Sequence, residues 1–205
     1  RPKEYEDYKS LTGENGTIYV GMTDTDPPIS YQNEDILTGF DLEYIILFAR
    51  EYGYKLEPST VDFEFILGGV QTGKYDLAIG GITITDERKE ILNFTDVYYQ
   101  SPVVMVTKGY NSETTHLSDL AGKRVGVMTG SIQAVMMPEL VPDAEYMEFN
   151  SISDLIAALN SNKIDAFGCD ESLYTSMLWE GQAVDRIDEP LGESNYGIIF
   201  PKGKK

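Results

Sequence analysis

Residues 71–81 read "QTGKYDLAIGG" and residues 160–170 read "NSNKIDAFGCD". Each stretch leaves the end of a helical pattern, passes a lysine, one spacer and an aspartate, and enters a short apolar run. Lys74 and Asp76 in the first correspond to Lys163 and Asp165 in the second. The apolar runs are too short for helices and read as buried strands. A single copy would be the ordinary grammar of a helix-to-strand turn. Two copies, together with a pattern that restarts after residue 108, predict two similar α/β lobes rather than one large sheet.

The surroundings of the two copies agree. Before the first, "GTIYVGM" (16–22) reads as a strand, and "GFDLEYIILFAREYGY" places Leu42, Ile45, Ile46, Ala49 and Tyr52 on one helical face, with Gly53 as a stop. "VDFEFILGGVQTGKYD" reads as a second helix, weakened by Gly68 and Gly69 and closed by Gly73. Between them "DTDPPISY" is a proline-punctuated loop. "ILNFTD" and "SPVVMVTK" (101–108) read as strands. In the second half "LAGKRVGVMTGS" is a turn and strand, and "SIQAVMMPEL" a helix that Pro138 helps to stop. "EYMEF" is a strand, and "SISDLIAALNSNK" a helix opened by Ser151 and Asp154. "IDAFG", "ESLYTSMLWEG" and "NYGIIF" complete a strand, helix, strand series. Strands alternating with helices imply parallel, doubly wound sheets.

Composition removes several classes of function. Sixteen basic and 34 acidic residues give a net charge of −18, which repels phosphate backbones and excludes nucleic acid as the expected partner. Cys169 is the single cysteine and His116 the single histidine, so neither a disulfide framework nor a histidine-rich metal site is expected. No apolar run approaches the roughly 20 residues that span a bilayer.

Ligands of open parallel sheets bind beyond the carboxyl ends of the strands. That rule selects residues 22–31, 80–88, 128–133 and 168–171. In "GGITITDER" (80–88), Gly80 and Gly81 permit close approach to bare backbone, Thr83 offers a hydroxyl, and Thr85 is a helix cap that places Arg88 in the first turn. Arg88 either forks onto a carboxylate or pairs with Asp86, Glu87 or Glu90 at the surface. In "MTGSIQ" (128–133) the turn around Gly130 is either an anion-accepting nest or an ordinary tight turn. Asp170 in "GCDES" either holds an ammonium group or caps the following helix, and one carboxylate has lone pairs for both. Phe63 is either a pocket wall or core. A cationic group with N–H donors on one lobe and a carboxylate on the other are together complementary to a zwitterion, an α-amino acid.

At this point the chain resembles the bacterial extracellular solute-binding proteins (family 3) of polar amino-acid ABC transporters, of the glutamine, histidine and lysine/arginine/ornithine binding type. The resemblance covers about residues 16 to 203. It is carried by "DLAIGGITITDERKEILNFTDVYYQSPVVMV", "GFDLEYIILFAREYG", "DLAGKRVGVMTGSIQ", "KIDAFGCDE" and "YGIIFPKG". It implies an α/β fold of two lobes, each a small doubly wound sheet with flanking helices. Lobe 1 is expected at residues 1–104 and 197–205 and lobe 2 at 105–196, joined by two hinge strands near 103–107 and 196–200. It further implies that Arg88 grips the ligand carboxylate, that Gly81 and Thr83 contact the same backbone, that Asp170 takes the α-ammonium, and that Phe63 is an aromatic wall. Met128, Ile132 and Gln133 fall on the second-lobe loop, Ile132 through its backbone N–H. Thr23 and Asp26 stand where the family commonly has an aspartate and, three residues on, an aromatic lid. Asp26 is then a candidate reader of a polar or basic ligand side chain, unless the loop is shifted so that Asp24 takes the family role.

The function implied is extracytoplasmic binding of a free L-amino acid, polar and glutamine-like, in an interlobe cleft. Ligand-stabilised closure would precede delivery to an ABC transporter permease. No cofactor, metal or catalytic residue is expected, and contact with the membrane only through an anchor or a fused permease. The competing readings are a ligand-sensing domain of a kinase, cyclase or chemoreceptor, and a periplasmic dehydratase using Glu171 and Asp170 as acid and base. The family pattern continues past "FPKG" with further helices of lobe 1, so the resemblance implies an excised segment in which these C-terminal helices are missing.

Overall fold

A computed structural model of the protein describes residues 7–110 and 113–203. Residues 1–6 and 204–205 of the expected first lobe, and residues 111–112 of the second, lie outside it. Strand β1 (Thr17–Met22) is followed by a small antiparallel meander of β2 (Thr25–Asp26), β3 (Ser30–Asn33) and β4 (Ile36–Thr38). Then come α1 (Phe40–Glu51), β5 (Lys55–Thr60), α2 (Phe63–Gln71), β6 (Leu77–Ile79), α3 (Asp86–Ile91) and β7 (Leu92–Phe94). Strand β8 (Tyr99–Lys108) leads into β9 (Arg124–Met128), α4 (Ile132–Leu140), β10 (Glu145–Phe149), α5 (Ile152–Asn160), β11 (Ala166–Asp170), α6 (Glu171–Trp179) and β12 (Val184–Arg186). The chain returns through β13 (Glu193–Tyr196) and ends on β14 (Ile199–Pro201).

These elements form two compact units, Arg1–Tyr99 with Asn195–Lys205, and Gln100–Ser194. The expected lobe limits, after residues 104 and 196, fall a few residues beyond both crossings. Residues Val103 to Thr107 of β8 already pair with β11 in the second unit. On the return, Asn195 and Gly197 already bond to Ile84 and Ile82 of the first.

The two opening stretches do the same work in both units. Helix α2 ends at Thr72 and Gly73 is left-handed (φ +77°), while α5 ends at Ser161 and Asn162 is left-handed (φ +59°). Lys74 N–H bonds back to Gly69 at 2.9 Å, and Lys163 N–H to Ala158 at 2.8 Å. The aspartates then tie the turn to the neighbouring strand. Asp76 accepts from Tyr19 N–H on β1 at 2.9 Å, and Asp165 accepts from Arg124 N–H on β9 at 2.8 Å.

In unit 1 the sheet order is β5-β1-β6-β14-β7. Helix α1 buries Leu42, Ile45, Ile46 and Ala49 with Val20, Met22, Leu56 and Ile79. Helix α2 buries Ile66 and Val70 with Tyr75, Ala78, Leu92 and Ile199. Gly69, costly within a helix, has a reason: a Cβ there would lie 2.5 Å from the Tyr75 ring, and one on Gly21 would lie 2.7 Å from it. In unit 2 the order is β10-β9-β11-β8-β12, with β13 also on β8. Leu155, Ala158 and Leu159 of α5 pack with Phe167, Cys169 and Met177, and Met137 of α4 with Met105, Val125 and Val127.

Several local expectations change. Among the described strands, parallel pairing joins β5, β1 and β6 in unit 1 and β10, β9 and β11 in unit 2, while β14 runs against both β6 and β7, and β8 against both β11 and β12. "NYGIIF" is not one strand, because β13 and β14 are separated at Gly197, whose N–H turns to Ile82. Pro138 lies inside α4, which runs on to Leu140 and closes with Val141 N–H on Met137. The proline-punctuated loop carries the meander, and Tyr52 is an exposed C-cap rather than part of the buried face.

Candidate functional site

In unit 1 the side chains of interest surround the exit of β6. Gly80 and Gly81 serve first to admit neighbouring protein. A Cβ on Gly80 would lie 2.9 Å from Thr23 Oγ1, and Gly81, at φ +66°, has Asp26 Oδ2 3.4 Å and the Tyr196 ring 3.6 Å from the position of a Cβ. The 22–26 and 80–81 segments are thus laid against each other through backbone-only positions. Beyond them, Thr83 bridges Tyr196, and Ile84 N–H bonds to Asn195 at 2.8 Å, so the segment is anchored before α3 begins.

Thr85 is the cap of α3: its hydroxyl accepts from Arg88 N–H at 3.1 Å. That bond sets Arg88 in the first turn. Its Nη1 donates to the Thr83 carbonyl at 2.8 Å, and the guanidinium lies over the Phe63 ring at 5.7 Å. Burial lowers the Arg88 pKa, and the Glu87 charge acts the other way. An arginine remains cationic through such a shift, so the site holds a partly desolvated positive charge braced by an aromatic face. Phe63, first residue of α2, is therefore a wall to Arg88 rather than simply core. Thr83 is buried, as is Thr23, whose Oγ1 has no hydrogen-bond partner. Ser30 Oγ donates to the Thr23 carbonyl, holding the start of the loop against the meander. Asp26 is half-buried at the end of β2.

In unit 2 the capping reading of Asp170 falls away. Its side chain makes no capping bond to α6. Instead Oδ1 accepts from Gln133 Nε2 at 2.8 Å and from Ser194 Oγ at 2.9 Å. Gln133 and Ser194 are both buried. These two donors orient the carboxylate. Gln133 reaches it because α4 packs close over β11 at Gly168, where a Cβ would sit 3.0 Å from Met137 and 3.6 Å from the Gln133 Cβ. The 128–133 turn is built by Ser131, whose hydroxyl donates to the Met128 carbonyl at 2.6 Å and accepts from Ala134 N–H at 3.3 Å. Met128 packs on the core beneath, and Ile132, the first residue of α4, is half-buried.

The structure thus brings Arg88, Thr83, Phe63, Gly81, Asp26 and Thr23 together in one unit, and Gln133, Asp170, Met128 and Ile132 in the other. Sequence reasoning missed Ser194, a serine outside every loop it selected and 24 residues from its partner. It also missed Asp41 and Tyr98, which lie behind the unit 1 loops. Glu171, the candidate partner of Asp170 in acid–base chemistry, is engaged by Arg186 at 2.7 Å. Among the described residues no His/Cys/Asp/Glu group could hold a metal ion, and no helix is long and apolar enough to cross a membrane.

The sequence pattern of bacterial extracellular solute-binding proteins, family 3, matches residues 18–131. An arginine-binding extracellular protein of Bacillus subtilis (strain 168) is 35% identical over 151 residues, 73% of this chain and 59% of that protein. An L-cystine-binding protein of Escherichia coli (strain K12) is 30% identical over 195 residues, covering 94% of this chain and 73% of that protein. Among solved structures, an ancestral arginine-binding protein bound to arginine superposes with a TM-score of 0.86 at 32% identity, covering 92% of this chain and 86% of its own.

Proposed function

The chain belongs to family 3 of the bacterial extracellular solute-binding proteins, and from this premise we propose that it binds a free L-amino acid. Arg88 and the 81–83 segment take the α-carboxylate, and Asp170 takes the α-ammonium. The observation that supports the reading is the placement of Asp170: the buried Gln133 amide and Ser194 hydroxyl fix the orientation of a carboxylate at the end of β11, where ligands of such sheets bind. A ligand joined to both sets of groups favours whichever conformations let both hold it, by its differential affinity for them. The protein then works outside the cytoplasm and hands its ligand to the permease of an ABC transporter.

Asp26 narrows the ligand within the polar amino acids. It stands where the family commonly places an aromatic lid, half-buried beside Gly81. A carboxylate there suits a cationic side chain better than a neutral one, and arginine is the ligand named for the relative and the solved structure above.

Isothermal titration with arginine, histidine, glutamine and cystine tests the reading. Each charge-assisted bond contributes about 1.5–3 kcal/mol, so Arg88→Ala, losing two, weakens binding at least about a hundredfold. An affinity within tenfold of wild type overturns the assignment of Arg88.

A further inference from the structure

Asp41 stands second in α1 and is 0% exposed. An aspartate in the first turn of a helix ordinarily faces water, where it favours the positive helix end. Here neither carboxyl oxygen reaches solvent or makes a hydrogen bond of ordinary geometry. The helix start is tied to the first loop, since Phe40 N–H bonds to the Pro28 carbonyl at 3.0 Å and Asp41 N–H to the Ile29 carbonyl at 2.9 Å. Three groups face the carboxyl: the Tyr98 hydroxyl from the segment after β7, the Asp26 carboxylate from β2, and the Gly81 N–H from the loop after β6. The Tyr98 hydroxyl is also buried without a partner of ordinary geometry. Among the described residues no cation, Lys55 on β5 included, is among the groups that act on Asp41.

A carboxylate in such a place is strongly disfavoured unless a cation or several donors compensate it, and taking up a proton removes the cost. Burial pushes the Asp41 carboxyl well above the usual range. The Tyr98 hydroxyl opposes this, the Asp26 charge adds to it, and the Gly81 N–H opposes it. A neutral carboxyl is both donor and acceptor, which suits a facing phenol.

We propose that Asp41 is a positioning residue: a proton-bearing carboxyl that seats Gly81 and Asp26 in the arrangement that receives the amino acid, so that ionising it weakens binding. The proposal rests on the reading that the 80–88 loop and Asp26 receive the ligand. Ionisation places two anions, Asp41 and Asp26, against each other in a site that cannot solvate the first. The relief available is movement of the Asp26 loop or of Gly81, and both are ligand-facing in that reading.

The test compares the wild-type chain with Asp41→Asn, which keeps the shape and the neutral charge. Arginine affinity is measured by calorimetry from about pH 5, above the ordinary aspartate value of about 3.9, upward to the alkaline limit of the folded protein. Wild-type affinity falls at least about tenfold across the range, by the loss of a seated loop, while Asp41→Asn stays level. Two ligand-free readouts accompany it. The infrared spectrum at about pH 5, above the ordinary aspartate value of about 3.9, shows a protonated-carboxyl band that Asp41→Asn lacks. Wild-type unfolding free energy declines with rising pH above about 3.9, because the native chain keeps a proton that the unfolded chain has released, and Asp41→Asn loses that decline. Absence of the band, or the same pH profile in both proteins, overturns the proposal. If no amino acid binds the wild type, the functional reading fails, while the band and the stability profile still decide whether Asp41 holds the proton. Should Asp41→Asn fail to fold, Tyr98→Phe removes the facing hydroxyl and moves the loss of arginine affinity to higher pH, and an unmoved profile counts against the proposal.

Discussion

Arg88 and Asp170 reach their places by different routes, and the difference decides how visible each was. Arg88 is aimed by a cap three residues away and by a carbonyl five residues away. Such local geometry is readable in "TITDER". Asp170 is held by Gln133 and Ser194, 37 and 24 residues distant, and nothing local distinguishes its carboxylate from a helix cap. Asp170→Asn keeps the two donors satisfied on its amide oxygen but removes the charge. Its amino-acid affinity therefore falls at least about tenfold with little change in the unfolding midpoint. A loss of stability larger than the loss of affinity would make Asp170 a structural residue. Asp26→Asn is expected to weaken arginine binding several-fold and leave glutamine binding nearly unchanged, measured on the same protein. An equal effect on both ligands would remove Asp26 as a reader of side-chain charge. Asp41 was illegible for a physical reason: a first-turn aspartate ordinarily faces solvent, and only the packing of three other segments shows that this one does not.

The helices and longer strands were legible because their periodicity is local, and the Lys-x-Asp repeat because the same turn chemistry was written twice. What escaped were strands whose pairing is tertiary. The meander strands are only two to four residues long. Strand β5, "KLEPST", has a single buried residue, Leu56, and is specified by its parallel neighbour β1. At this scale α3 is the element on which the unit 1 site depends. Thr85→Ala removes its cap, costing about 1 kcal/mol of stability and releasing the first turn that carries Arg88. Ligand affinity should fall with it, whereas Thr85→Ser should restore both, and titration of the three proteins checks this. The second repeat gives a pH test. At Asp165 desolvation raises the pKa, but the hydrogen bonds from the Arg124 side chain and backbone and the Arg124 charge outweigh it, and the net shift is downward. The stabilisation is therefore present above the unfolded value of about 3.9 and is lost as pH falls through the lower folded value. The ion pair is partly exposed, so Asp165→Ala costs about 1–2 kcal/mol in urea unfolding near pH 7, and the gap to wild type narrows as pH falls and the carboxyl takes up its proton. A gap of unchanged size at low pH would assign the effect to packing instead of charge.

For the whole chain, the proposed function requires that one small molecule report on residues in two separately packed units. A bound ligand stabilises the folded protein by mass action, by about 2.7 kcal/mol at a hundred times its dissociation constant. If the carboxylate donors of unit 1 and the ammonium acceptor of unit 2 serve a single amino acid, the ligand-induced rise in unfolding temperature at a fixed arginine concentration must shrink both in Arg88→Ala and in Asp170→Asn. Each substitution would reduce it although neither alters the unit that carries the other. Were unit 1 alone the receptor, Asp170→Asn would keep the full shift. Were Asp170 a structural acceptor for Gln133 and Ser194 only, Asp170→Asn, which still accepts both bonds, would leave the shift intact. A double substitution separates the remaining cases. Groups acting on one ligand give a combined loss of affinity that departs from the sum of the single losses, whereas independent sites give additive losses. Thermal unfolding of the four proteins with and without arginine thus asks whether the two half-sites are halves of one thing.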